Sequence, residues 1–230
     1  MCGVAGFIDF DNKSTKEVLI KMTDSLILRG PDDSGYKFHE KKNYNIGLGH
    51  RRLSILDLSS QGHQPMIYEK ISIVYNGEVY NFKELKEELI KLNYKFKSNT
   101  DTEVILKAYH KWGVDFVNKI NGMFIITLYD ENINKVFIFR DRAGVKPLYW
   151  YWKDNLFLFS SELKSFHKNE NFQKQINFNS LGEFLQYGYI MEPNCIFDYT
   201  YKLKSGHYIE FDLAQKKIDI KKYWSIHELD

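Results

Sequence analysis

The chain has 230 residues, 43% of them hydrophobic and 16% aromatic, with a formal net charge of +2. That is apolar material for the core of one large domain, without the basic excess that draws nucleic acid or anionic lipid and without an apolar run near the roughly 18 residues of a membrane span. Two cysteines, Cys2 and Cys195, give no disulfide framework, which fits a reducing cytoplasm, and the seven histidines share no ligand spacing with them, so no metal site is expected.

In chain order, residues 2–9 are apolar with small side chains near the start and read as a strand; they lack the basic and long apolar regions of a signal peptide. Ser14-Thr15-Lys16-Glu17 is a capping box that opens a helix to about Leu28. The turn-forming run Arg29-Gly30-Pro31-Asp32-Asp33-Ser34-Gly35 ends it. Short strands are expected near 35–40, 44–50 and 51–56, then a polar loop to Pro65 and an alternating strand at 71–75. Asn81 with Glu84 predicts a helix to about Asn93, and Thr100 with Glu103 another to about Trp112. Residues 123–129 and 136–139 form a hairpin pattern. Further strands fit 147–152, 156–160, 207–213 and 217–220, and helical segments fit 161–167 and 179–187. Antiparallel strands with interspersed helices argue an α+β fold, sheets packed between helical outer layers.

Cys2 carries the first chemical signal. A small second residue permits removal of Met1, which would leave a thiol and a free α-amine on one residue. The amine, with a pKa of about 7.7–8, can take the thiol proton directly or through a water. Cys195 is expected to have no chemical consequence. Of 32 basic residues five are arginine, Arg29, Arg51, Arg52, Arg140 and Arg142, in three clusters. The planar fork of arginine marks places where a carboxylate or backbone carbonyls need gripping.

The second signal is Val74-Tyr75-Asn76-Gly77-Glu78. Asn-Gly reads as a hairpin turn; equally, the Asn76 amide and the Gly77 N–H could form an oxyanion hole for an amide under thiol attack, worth roughly 3–4 kcal/mol. Together with Cys2-Gly3-Val4-Ala5-Gly6, Arg29-Gly30-Pro31-Asp32, the block from Gly49 to Asp57, Gln64-Pro65-Met66, Ser98 to Glu103, Asn121-Gly122-Met123-Phe124, Arg140 to Leu148 and Ser160 to Lys164, this segment resembles the class II glutamine amidotransferases. These blocks stand in family order over about residues 2–165. The resemblance implies an N-terminal-nucleophile hydrolase, a four-layer αββα sandwich. Arg29 to Asp32, the Arg52 to Asp57 run, Gln64-Pro65 and the stretch from Leu203 to Trp224 are most similar to the glutaminase half of glutamine-hydrolysing asparagine synthetase. Leu28, Ala143 and Ser205 depart from the common family residues, and none of them removes a catalytic group.

The resemblance assigns the roles. Cys2 attacks the glutamine side-chain amide, its own amine carrying the proton. Asn76 and Gly77 hold the oxyanion. Arg52 clamps the α-carboxylate, with backbone groups of Leu53, Ile55 and Leu56, and Asp101 with Glu78 receives the α-ammonium. On the residues alone, Asp101 can equally cap a helix and Arg52 form a surface ion pair. Arg140, Asp141, Arg142, Gly144 and Lys146 are expected to hold a loop together. Residues 2–190 are expected to form the glutaminase domain and 191–230 a linker-like tail. The chain has no Ser-Gly-Gly-x-Asp-Ser loop and reaches Asp230 about where the synthetase domain should begin. The domain itself is then expected to need no cofactor, whereas ATP and Mg would serve a synthetase domain joined in cis or in trans. L-glutamine is the expected ligand, in a cytoplasmic protein for which a homodimer is open, with neither nucleic acid nor membrane as partner. Two other readings stand beside it: a glutaminase feeding a different acceptor, such as a sugar or peptide, and a non-catalytic interaction domain of the same fold.

Overall fold

The computed structural model describes residues 2–54 and 59–228. Along them run β1 (Gly3–Asp9), α1 (Lys16–Asp24), β2 (Asp33–Glu40), β3 (Asn45–Arg52), β4 (Met66–Tyr68), β5 (Ile71–Val79), α2 (Phe82–Lys91), α3 (Asp101–Trp112), α4 (Phe116–Lys119), β6 (Gly122–Asp130), β7 (Lys135–Arg140), β8 (Tyr149–Lys153), β9 (Leu156–Ser160), α5 (Phe178–Tyr187), β10 (Thr200–Lys202), β11 (His207–Asp212) and β12 (Lys217–Lys222). The strands form two six-stranded sheets, ordered β10-β8-β9-β1-β3-β2 and β12-β11-β7-β6-β5-β4. Their pairings are antiparallel.

The layers follow from strand alternation. Val4 and Ile8 of β1 join Ile46, Leu48, Val74, Ile125, Ile138, Phe157 and Ile209 in a buried layer between the sheets. Ala5 and Phe7, pointing the other way, pack under Leu19 and Met22 of α1 and under Phe166. On the outer face of the second sheet, Tyr75, Ile126 and Phe139 meet Leu85 and Leu89 of α2 and Val104 and Ala108 of α3. Each of these fully buried large side chains stabilises the fold by about 1.5–3 kcal/mol. The result is the four-layer αββα sandwich.

Several expected boundaries move. The strands expected at 44–50 and 51–56 begin as one strand, β3, which runs unbroken from Asn45 to Arg52 against both β1 and β2; residues 55–58 lie outside the described residues. The hairpin reading of Asn76-Gly77 gives way because both residues sit within β5, paired with Ile125 and Phe124. A Cβ on Gly77 would lie 2.2 Å from the Met123 carbonyl oxygen, so glycine here serves close strand approach rather than a turn. Thr15, not Ser14, caps α1 by accepting from the Val18 N–H. Ser14 is buried and its N–H is drawn to Asp9 Oδ2 at 2.6 Å. Asn81 stands before α2 but does not cap it; its amide bridges the Lys119 carbonyl and the Asn121 N–H.

The stretch beyond residue 190 is part of both sheets. β10 pairs with β8, β11 pairs with β7, and β12 closes the second sheet's edge. The Gly206 N–H donates to the Asp141 carbonyl at 3.0 Å, and the Tyr223 hydroxyl donates to the Arg140 carbonyl at 2.6 Å. The boundary expected at 190 therefore has no counterpart in the sheets.

Candidate active site

β1 delivers Cys2 to the mouth of the inter-sheet layer. Gly3 pairs with Arg51 and fixes the strand's start. The Arg29 Nε donates to the Cys2 carbonyl at 3.0 Å, and its Nη1 is paired with Glu162 at 3.0 Å. The Leu53 N–H points at the Cys2 Sγ at 3.3 Å, and the thiol approaches the Leu53 carbonyl at 3.6 Å. Burial pushes the thiol up from its ordinary range, and the Leu53 N–H partly offsets that.

Around the thiol a cavity is lined by Arg52, Leu53, Gly62, Gln64, Tyr75, Gly77, Glu78, Thr100, Asp101 and Thr102. Arg52 ends β3, and its Nη1 donates to the Ser59 carbonyl at 2.9 Å. Its guanidinium lies so close over Gly62 that a Cβ there would meet Nη2 at 2.0 Å. Asp101 stands at the first position of α3, behind the cap in which Thr100 accepts from the Glu103 N–H. Its Oδ2 accepts from the Tyr75 hydroxyl at 2.7 Å and from the Val79 N–H at 3.1 Å. Burial raises Asp101 above the usual carboxylate range, opposed by those donors and by N–H groups at the start of α3. Glu78 is also raised, first by burial and then by the Asp101 charge, with Lys146 pulling it back.

β5 brings donors to this place through the shortness of its neighbour. β4 pairs with β5 only between Ile71 and Ile73, so the edge of β5 beyond that is free for side chains. The Tyr75 N–H donates to Gln64 Oε1 at 2.6 Å and the Val79 N–H to Asp101, both on this edge. Opposite Gly77, Phe124 gives its N–H to Asp141 Oδ2 at 3.1 Å and takes the Asp141 N–H on its carbonyl at 3.0 Å. Strand alternation then turns the Gly77 N–H to the same open edge as those of Tyr75 and Val79. The preceding side chain, Asn76, is 1% exposed, and its Nδ2 is buried without a hydrogen-bond partner among the described residues. An unsatisfied buried donor costs about 1–3 kcal/mol, which a bound oxyanion would recover.

The structure thus gathers Cys2, Arg52, Leu53, Gly77, Glu78 and Asp101 on one cavity, with Asn76 next to Gly77 in β5. Ile55 and Leu56 lie outside the described residues. Arg140 and Asp141 hold the loop after β7: Asp141 accepts from the N–H groups of Phe124, Val145 and Lys146, and Arg140 donates to the carbonyls of Gly144 and Lys146. The sequence reading passed over Gln64, Tyr75, Thr102 and Gly62 as site residues, and Arg29 as the group on the Cys2 carbonyl. Gln64 and Thr102 stand inside motif blocks and Tyr75 precedes Asn76, but only the fold shows that their side chains converge. The described residues contain no helix long and apolar enough to cross a membrane.

The model of the glutamine amidotransferase domain family matches residues 1–224. This chain belongs to that family. A Methanocaldococcus jannaschii protein bearing a provisional name of glutamine-hydrolyzing asparagine synthetase 2 is 43% identical over 98% of the chain and 47% of its own length. The glutamine-hydrolyzing asparagine synthetase 2 of Bacillus subtilis is 38% identical over 100% of the chain and 31% of its own length. The chain therefore spans less than half the length of these relatives. Among solved structures, the glutamine phosphoribosylpyrophosphate amidotransferase from B. subtilis superposes with a TM-score of 0.70 at 14% identity, covering 97% of this chain and 49% of its own. At that identity the likeness speaks to the fold alone.

Proposed function

We propose that this glutamine amidotransferase domain is the glutaminase part of an asparagine synthetase, hydrolysing L-glutamine to L-glutamate and ammonia. The observation that carries the reading is the convergence of Cys2, Arg52 and Asp101 on one cavity that Gly77, the neighbour of Asn76 in β5, also lines. A cationic fork and a buried carboxylate suit the two charges of an α-amino acid head, with a thiol at reach of its side chain.

Removal of Met1 frees the Cys2 α-amine, which takes the thiol proton as Sγ attacks the glutamine δ-carbonyl carbon. The Asn76 Nδ2–H and the Gly77 N–H stabilise the oxyanion. The tetrahedral adduct collapses as the amine returns the proton to the leaving nitrogen, releasing ammonia and leaving a γ-glutamyl thioester. Water, deprotonated by the same amine, cleaves the thioester and regenerates the thiol. Arg52, with the backbone of Leu53, holds the α-carboxylate, and Asp101 with Glu78 holds the α-ammonium. The ammonia passes to an ATP- and Mg-dependent synthetase domain, joined in cis or in trans. Support for that acceptor comes from the asparagine synthetase names of relatives matched over the chain's full length.

The test is glutamate and ammonia release by the processed chain. Cys2→Ala is expected to abolish hydrolysis while glutamine still binds in calorimetry; retained hydrolysis would remove Cys2 from the mechanism.

A further inference from the structure

Asp101 reaches the cavity at one end of a chain of hydrogen bonds that runs through a single residue of β5. Tyr75 is held at three points. Its N–H donates to Gln64 Oε1 at 2.6 Å, its carbonyl accepts from His50 Nε2 at 3.0 Å, and its hydroxyl donates to Asp101 Oδ2 at 2.7 Å. The Gln64 amide continues to Thr102 Oγ1 at 3.3 Å, the second residue of α3, so backbone and side chain of Tyr75 both lead to the helix start. Tyr75 is 3% exposed, Gln64 5% and His50 1%; water does not compete for these bonds. The His50 ring, its pKa lowered to about 3 by burial, is neutral and carries its proton on Nε2 to serve the Tyr75 carbonyl.

We infer that Tyr75 is a positioning residue for substrate recognition, its hydroxyl setting the Asp101 carboxylate so that Oδ1 meets the α-ammonium of glutamine. The inference rests on the reading of Asp101 as the ammonium's partner. Oδ2 is committed to Tyr75 and Val79, so the carboxylate cannot rotate without losing two hydrogen bonds, and a ligand meets it through the other oxygen. The same residue precedes Asn76 on the strand. One clamped position thereby fixes the spacing between the groups that hold the head of the substrate and those that face its reacting end.

The titratable and charged groups lining the cavity with Asp101 are Tyr75 and Glu78 from β5, Cys2 at the head of β1 and Arg52 at the end of β3, with Lys146 beside Glu78. Against burial, which favours the protonated acid, the Tyr75 hydroxyl favours the carboxylate. Loss of the hydroxyl raises the Asp101 pKa further. Because the ammonium needs the charged form, the acid limb of kcat/KM moves to higher pH.

The experiment compares Tyr75→Phe and Asp101→Asn with the parent chain, each first shown to unfold cooperatively. Tyr75→Phe is expected to raise KM for glutamine about tenfold, as loss of a hydrogen bond to a charged group does, with kcat within about twofold, and to shift the acid limb upward. Alkylation of Cys2 discriminates the cause. An electrophilic glutamine analogue, which carries the α-ammonium, should label Tyr75→Phe about tenfold more slowly than the parent, whereas iodoacetamide, which lacks it, should label both at one rate. Parallel loss with both reagents would mean a general distortion and overturns the inference. An unchanged KM in Tyr75→Phe alongside a raised KM in Asp101→Asn overturns the role of Tyr75 and leaves Asp101 standing. An unchanged KM in both removes Asp101 as the ammonium's partner, and the inference with it.

Discussion

At the scale of single residues, the distinction between Arg52 and a lysine is geometric. Its Nη1 donates to the Ser59 carbonyl, and its guanidinium packs so close to Gly62 that a Cβ there would meet Nη2 at 2.0 Å. A fork held in this way can present a fixed edge to a carboxylate, which a flexible ammonium cannot. Arg52→Lys is expected to raise KM for glutamine by about one to two orders of magnitude, the loss of a charge-assisted bidentate contact, with a smaller effect on kcat. Steady-state kinetics decides it: an unchanged KM would remove Arg52 from substrate binding. The residues proposed for the chemistry stand out in the sequence because their types are chemically distinctive: a second-position cysteine, an Asn-Gly pair and sparse arginines. Those that hold them do not. Gln64, Tyr75 and Thr102 are ordinary residues until β4 stops short and leaves the β5 edge to side chains.

At the scale of elements, the loop after β7 shows how a site depends on residues that never touch substrate. Asp141 is 1% exposed and accepts three backbone N–H groups, from Phe124, Val145 and Lys146. The first of these lies opposite Gly77 in the ladder, so Asp141 ties the loop after β7 to the β6 residue that faces the cavity strand. Asp141→Ala is expected to cost at least about 2 kcal/mol, since the two buried donors, the Phe124 and Lys146 N–H groups, lose their acceptor at about 1–3 kcal/mol each. Urea unfolding measures this, and a loss below 1 kcal/mol would contradict the assigned role. Element boundaries were read less well than element types, for local reasons. Thr15 took the α1 cap because Asp9 had drawn Ser14 inward, and Asn81 was diverted from α2 by the chain at 119–121. Gly77 read as a turn because a glycine chosen for close strand approach looks the same in sequence as one chosen for a bend.

At the scale of the whole molecule, two sheets meet so that one end of their shared layer becomes the site. β1 and β3 bring Cys2 and Arg52 from the first sheet, β5 brings Asn76 and Gly77 from the second, and α3 caps the gap with Asp101. The segment after residue 190, expected as a tail, supplies edge strands to both sheets and ties back to Arg140 and Asp141. Strands at 207–213 and 217–220 are legible in the sequence, and Ile209 and Phe211 of β11 reach the buried layer, but a strand pattern alone does not say which sheet it joins. The account as a whole turns on Cys2 being a free, activated nucleophile after loss of Met1. Intact mass of the purified chain, taken before and after incubation with an electrophilic glutamine analogue, tests that directly. The account predicts a mass lacking Met1 and a single adduct mapped to Cys2; a processed chain that takes no adduct, or takes it elsewhere, would contradict it.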